Sequence, residues 1–197
     1  MSDSIRLATE DDAAEVLRIY EPIVRATAIS FELHPPGVEE IRERIRAVLL
    51  SHAWLVCGDG QRIAGYAYAS RFRAREAYQW TTEVTVYVDA EQRRRGIGRA
   101  LYVSLLEVLK LQGFLTAIAV IALPNEPSVQ LHERLGFRAV GVLKRVGYKL
   151  GRWHDVGWWQ MELREREADP QSTRRVAELA GTAEWRRAVA AGLTELA

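Results

Sequence analysis

Residues 81–102 read TTEVTVYVDAEQRRRGIGRALY. The first eight alternate, with Thr82, Val84, Val86 and Val88 on one side of a strand and Thr81, Glu83, Thr85 and Tyr87 on the other. The chain then turns through Asp-Ala-Glu-Gln and Arg93, Arg94 and Arg95, and enters a helix at Gly96-Ile97-Gly98. Ile97, Leu101, Leu105 and Val108 form that helix's core stripe. A glycine-rich turn at a helix N-terminus leaves backbone N–H groups free at the positive end of the dipole, which suits a phosphate. A Cβ would block the anion's approach, and neighbouring arginines add charge-assisted contacts.

Three anionic ligands compete for such a loop. A dinucleotide fingerprint needs a third glycine, but position 101 is Leu, and IAVIALPN offers no acid for a ribose. A nucleotide P-loop needs Gly-Lys-Ser/Thr, whereas Arg99 and Ala100 follow Gly98. Nucleic acid would need a broad basic surface, and 27 Lys+Arg against 26 Asp+Glu give a net charge of only +1. The basic site is local, and no nucleic-acid partner is expected.

At 197 residues the chain is long enough for one domain with an appendage. IRLATEDDAAEVLRIYEPIV predicts a strand and a helix with Thr9 as N-cap. VEEIRERIRAVLL predicts a second helix, AWLVCGDGQRIAGYAYAS two strands about a Gly-Asp-Gly turn, and TAIAVIAL a strand buried on both faces. The helix from Gly96 ends at Gly113; a short one spans EPSVQLHERLGF, with two or three strands after it. Strands interleaved with helices make a mixed α/β (α+β) layer fold. Residues 1–164 read as this domain and residues 165–197 as a charged linker with a helical extension, broken at Gly181, that packs on the domain or on a second subunit. The lone Cys57, in the apolar run AWLVC, reads as an inert buried thiol in a reducing compartment. With no signal peptide and no membrane-length apolar run, a soluble cytoplasmic protein without a membrane partner is expected. His34, His52 and His154 lack metal-ligand spacing, so no metal is expected.

Arg93-x-x-Gly96-x-Gly98, after a strand and opening a helix, resembles the Q/R-x-x-G-x-G/A loop of the GNAT acyl-CoA N-acyltransferases. LPNEPSVQLHERLGF resembles that superfamily's N-x-x-S-x-x-x-[Y/H]-x-x-x-G-F segment, and the two motifs keep the family's order and separation. AYQWTTEVTVYV, GRWHDVGWWQ and SFELHPP are similar to the phosphinothricin and methionine sulfone N-acetyltransferase branch. The resemblance runs from about Ile5 to Leu163. It implies the GNAT fold, a central mixed and mostly antiparallel sheet flanked by helices, with acetyl-CoA as acetyl donor. It also implies a small amino-acid-like acceptor and a homodimer.

Residue roles follow from the resemblance. Glu83, which on its own would be an ordinary solvated strand carboxylate, matches the family's catalytic base. Amide formation needs such a group, because an α-amino group is mostly protonated at neutral pH. Backbone donors from Val86, Tyr87 and Val88 would face the thioester carbonyl. Arg93, Arg94, Arg95, Gly96, Ile97, Gly98 and Arg99 would carry the diphosphate, with Asn125 and Ser128 contacting coenzyme; Asn125 also reads as a helix-opening turn residue. His132 stands where many relatives have a tyrosine acid; a packed helix histidine and a catalytic acid are both open. Phe31, Arg73, Ala74, Arg75, Glu83, Val84 and Thr85 would surround the acceptor, the arginines suiting a carboxylate or phosphinate, or else forming a solvated basic face. No cysteine or serine is placed as a covalent relay, so direct transfer is expected. The same chemistry on another amine, and a silent acyl-CoA-binding module, are the alternatives.

Overall fold

The computed structural model describes residues 3–196. In chain order it contains β1 (Ser4–Leu7), α1 (Ala13–Ala26), α2 (Val38–Leu49), β2 (Trp54–Gly58), β3 (Ile63–Arg71), β4 (Thr81–Val88) and α3 (Ile97–Gln112). Then come β5 (Thr116–Leu123), α4 (Glu126–Arg134), β6 (Arg138–Lys149), β7 (Arg152–Glu162), α5 (Val176–Leu179) and α6 (Ala183–Ala190). The stretch after α4 holds two long strands. Thr9 opens a single 3-10 turn, Glu10–Asp12, ahead of α1. Its N–H is accepted at 2.8 Å by the Asp12 carboxylate, which Arg6 holds in turn.

Among the described residues, seven strands form one sheet in the order β1-β2-β3-β4-β5-β7-β6. Every neighbouring pair is antiparallel except β4 and β5. Successive side chains on a strand point to opposite faces, so the sheet has two cores. Val16, Ile41 and Ile45 of α1 and α2 pack with Trp54 and Tyr66 on one face. Leu101, Leu105 and Leu109 of α3 pack with Leu55, Ala67, Val84 and Ala117 on the other. Each fully buried leucine contributes about 1.5–3 kcal/mol, which ties α3 firmly beneath β3 and β4.

Three outlying features matter for the site. Cys57 is buried in the α3-side core, and burial pushes its thiol up to about 12. The C-terminal segment folds back onto α3, burying Val176, Leu179, Trp185 and Val189 in the same core. Strand β6, at the sheet edge, is exposed along almost its whole length, with Val140, Leu143, Val146 and Tyr148 in the open.

Candidate active site

β4 and β5 pair only over Thr81↔Thr116, Thr82↔Ala117 and Glu83↔Ile118. Beyond Glu83 they part, although β4 continues to Val88 and β5 to Leu123. Asp89 N–H donates to Ala64 O at 2.9 Å, and the β3–β4 register is unbroken from there back to Thr82. An antiparallel ladder alternates its bonding side, so the amides of Glu83, Thr85 and Tyr87 face β3. That of Val84 is spent on Ile118 in the last rung of the β5 ladder, and those of Val86 and Val88 face the gap. Of the three expected backbone donors, Val86 and Val88 are therefore turned outward and Tyr87 is not. The half-buried Tyr87 side chain nevertheless lines the gap, its ring 5.1 Å from Tyr20 and 5.4 Å from Tyr66.

The gap is a slot through the sheet. Ile29, from the loop after α1, lines one mouth; Val84, Thr85, Val86, Val120, Ile121 and Ala122 form the walls; and Tyr102, Asn125, Ser128 and His132 line the α3 side. Glu83 stands at the point where the strands separate. Among the described residues its carboxylate has no hydrogen-bond partner, and burial raises its pKa against the opposing pull of the Arg73 guanidinium. That guanidinium lies 4.5 Å from the Phe72 ring centroid and 5.3 Å from that of Trp158. The two rings meet edge to face at 6.0 Å. Cation–π contact on two aromatics holds the charge of Arg73 beside Glu83 without neutralising it. Arg71 stiffens the same loop by donating to the carbonyls of Arg73, at 2.9 Å, and Ala74.

Other expected acceptor residues lie elsewhere. Phe31 packs on the backbone of Gly147 and faces His154, so it joins the helix loop to the β6–β7 hairpin and does not line the slot. Ala74 and Arg75 sit on an exposed loop, Arg75 opening the short turn to Tyr78. Ile29, two positions before Phe31, is the residue that reaches the slot, a placement set by the loop's path and not by any local signal.

The glycine loop is anchored at its start by Asp89, which is buried, accepts the Glu91 N–H at 3.0 Å and pairs with Arg18. Arg94 and Gly96 both adopt positive φ, at 64° and 78°, and curl the loop into the first turn of α3. A left-handed conformation is uncommon for arginine and gathers successive N–H groups on one side, as an anion-binding nest requires. The two glycines look in different directions. A Cβ on Gly98 would meet only Val88 and Leu131, at 3.4 and 3.5 Å. Packing therefore leaves room for a Cβ at 98, whereas a ligand passing between β4 and α4 would not. A Cβ on Gly96 would lie 2.0 Å from the Glu195 carbonyl oxygen. The arginines divide as well: Arg95 bonds Asp3 at 3.0 Å and Arg99 bonds Glu195 at 2.6 Å. Arg93 and Arg94 are exposed and have no side-chain partner among the described residues.

His132 is buried, at 3% exposure. Its Nδ1 lies 2.7 Å from the Ser128 carbonyl, an acceptor, so Nδ1 carries the proton. Nε2 then accepts from the Tyr102 hydroxyl at 3.0 Å. Burial lowers the His132 pKa, with the Ser128 bond opposing. The imidazole is thus neutral at pH 7 and both nitrogens are engaged. Tyr102 was not legible as a site residue; its place among Leu101, Leu105 and Leu106 reads simply as core. Asn125 caps α4, its Oδ1 accepting the Ser128 N–H at 3.4 Å.

The acetyltransferase (GNAT) domain family model matches residues 5–158. The chain is 42% identical to the phosphinothricin N-acetyltransferase of Streptomyces viridochromogenes over 89% of this chain and 95% of that one. It is 34% identical to an L-methionine sulfoximine/L-methionine sulfone acetyltransferase of Pseudomonas paraeruginosa, over 83% of this chain and 96% of the other. The crystal structure of a GNAT superfamily phosphinothricin acetyltransferase from Sinorhizobium meliloti in complex with acetyl-CoA superposes with a TM-score of 0.82. That pair is 34% identical and covers 87% of this chain and 94% of that one.

Proposed function

Because the chain belongs to the GNAT acetyltransferase family, we propose that it moves an acetyl group from acetyl-CoA directly to the α-amino group of a small anionic amino acid. Phosphinothricin and the sulfone and sulfoximine of methionine are the acceptor class, which their place among the relatives' substrates supports. The observation that carries the reading is the slot itself. It has amides turned outward at Val86 and Val88, an open glycine at 98 toward the phosphate-binding turn, and a base beside a guanidinium that no carboxylate bonds where the strands part.

Glu83 takes a proton from the acceptor's ammonium, and the freed nitrogen attacks the acetyl carbonyl. Val86 and Val88 N–H groups stabilise the charge that develops on the carbonyl oxygen. The carbon–sulfur bond then breaks while the nitrogen gives up its second proton; the Tyr102 hydroxyl, leaving its bond to neutral His132, passes one proton to the departing sulfur and takes that one in return, and Glu83 releases its own proton to solvent. Ser128 also lines the slot, but its neighbour His132 has Nδ1 committed to a carbonyl and cannot activate that hydroxyl, which favours direct transfer. Cys57, buried and protonated, is no relay either. The loop amides, Arg93 and Arg94 hold the diphosphate, while Arg73 on its aromatic pair meets the acceptor's acidic group.

The enzyme acts as a cytoplasmic homodimer. The exposed apolar β6–β7 hairpin supports this, because Val140, Val146, Tyr148 and Trp153 form the kind of open patch that a second copy covers. A thiol-release assay with acetyl-CoA tests the activity across amino acids, sulfones, sulfoximines, phosphinic analogues and neutral amines. Anionic acceptors should lead, and Arg73→Ala should erase that preference. Equal rates with neutral amines would reassign the acceptor class, and coenzyme binding with no release would make the protein a silent acyl-CoA module.

A further inference from the structure

We propose that the C-terminal segment 183–196, which lies beyond the residues matched by the family model, is a positioning element of the coenzyme site. It fixes the first turn of α3, and through that turn it sets the affinity for acetyl-CoA. The proposal rests on the reading that the loop from Arg93 to Arg99 holds the coenzyme's diphosphate.

The segment touches α3 along one stripe, at Gly96, Arg99, Ala100 and Ser104, the i, i+4, i+8 face of a helix. Two of these contacts are backbone against backbone. The Glu195 carbonyl sits where a Cβ of Gly96 would be, and Gly192 lies so close to α3 that its own Cβ would stand 1.9 Å from the Ala100 carbonyl oxygen. Ser104, with no exposed surface, donates to the Val189 carbonyl at 2.7 Å and accepts the Gly192 N–H at 3.0 Å. Arg99 closes the stripe by bonding the Glu195 carboxylate at 2.6 Å. Behind it Trp185, Ala188 and Val189 are buried in the core that α3 shares with the sheet.

The first turn of α3 is therefore gripped from outside at Gly96 and faces the ligand seam at Gly98, with one residue between. Fixed N–H groups bind an anion better than mobile ones, since the cost of ordering them is met before the ligand arrives. α3 itself has no acidic residue in its first turn, and the Glu195 carboxylate brought to that positive end is spent on Arg99. Glu195, Gly192 and Ser104 thus act through α3 and not on the reacting atoms.

The test uses full-length protein and measures the acetyl-CoA dissociation constant by calorimetry, thermal unfolding, and kcat and KM for both substrates. Gly192→Val pushes the segment off α3 and leaves every α3 side chain in place. Its acetyl-CoA dissociation constant and KM should rise about 10-fold, the scale of ordering one or two residues, while kcat at saturation and the acceptor KM stay unchanged. Ser104→Ala, a milder change should Gly192→Val fail to fold, should move the same constants in the same direction by a few-fold. A lower melting temperature with unchanged coenzyme affinity would overturn the proposal and leave the segment a purely structural brace. Tighter binding would also overturn it, making Glu195 a competitor for Arg99. Gly98→Val is the control for the underlying reading: if it binds acetyl-CoA like wild type, the loop assignment falls and takes the proposal with it.

Discussion

On the α3 side of the sheet, the slot is walled by Tyr102, Ser128 and His132, carried on helices packed against the sheet. On the α1 side it is reached by Ile29 from an irregular loop, while Arg73, on another loop beside Glu83, stacks on Phe72 and Trp158. In the proposed reaction the first half holds the donor largely through backbone N–H groups of Val86, Val88 and the glycine loop, which single substitutions do not remove. The second works through side chains on exposed loops. A half built from backbone suits the invariant part of a reaction, the donor, while the side-chain half is where acceptor choice can vary at little cost to the fold.

The largest effect should come from the residue at the join of the two halves. Glu83→Gln should lower kcat by about 10²–10⁴-fold with acetyl-CoA affinity nearly intact. The pH profile sharpens this. Burial raises the Glu83 pKa, so the base is lost as pH falls through a value above the ordinary carboxylate range. The wild-type rate should therefore fall on that limb, and the residual rate of the glutamine variant should not follow it. His132, already neutral, should add no titration above pH 7. Wild-type-like turnover in Glu83→Gln would remove the join and merge the two halves.

Next in size, Gly98→Val should weaken acetyl-CoA by roughly 10–100-fold, the worth of a charge-assisted hydrogen bond, with little change in melting temperature. Calorimetry beside a thermal melt checks both parts. A large loss of stability instead would mean that Gly98 serves packing, contrary to the room found around it. The smallest effect on chemistry is expected at the hairpin. Trp153→Glu should shift the protein toward monomer in sedimentation, with the coenzyme constant unmoved; an unaltered sedimentation profile would count against the hairpin as the face a second copy covers.

Much of the donor half was legible because it is local. Alternation marks β4, the glycines mark the turn, and Gly113, at φ 94°, ends α3 where the apolar stripe runs out. What escaped is set by register and by distant segments. The ladder phase that turns Tyr87 toward β3 depends on a bond from Asp89 to Ala64, which no window of β4 contains. Tyr102 reads as core until His132, 30 residues on, gives its hydroxyl a partner. Gly96 reads as a phosphate glycine, yet the group pressed against it comes from the other end of the chain. Phe31 lies in SFELHPP, a stretch similar to the acetyltransferase branch, but its ring is packed against Gly147.

The parting of β4 from β5 has one more consequence. Unpaired strand edges ordinarily invite other chains to add strands, and proteins guard against this with charges, bulges or covers. Here the raw edge lies in the middle of the sheet, between two strands still joined at Thr81–Glu83 and flanked by α3 and α4. A slender ligand can thread it, but a neighbouring polypeptide in search of a strand partner cannot, so the protein keeps open backbone for its chemistry without the aggregation hazard that an outer edge would bring.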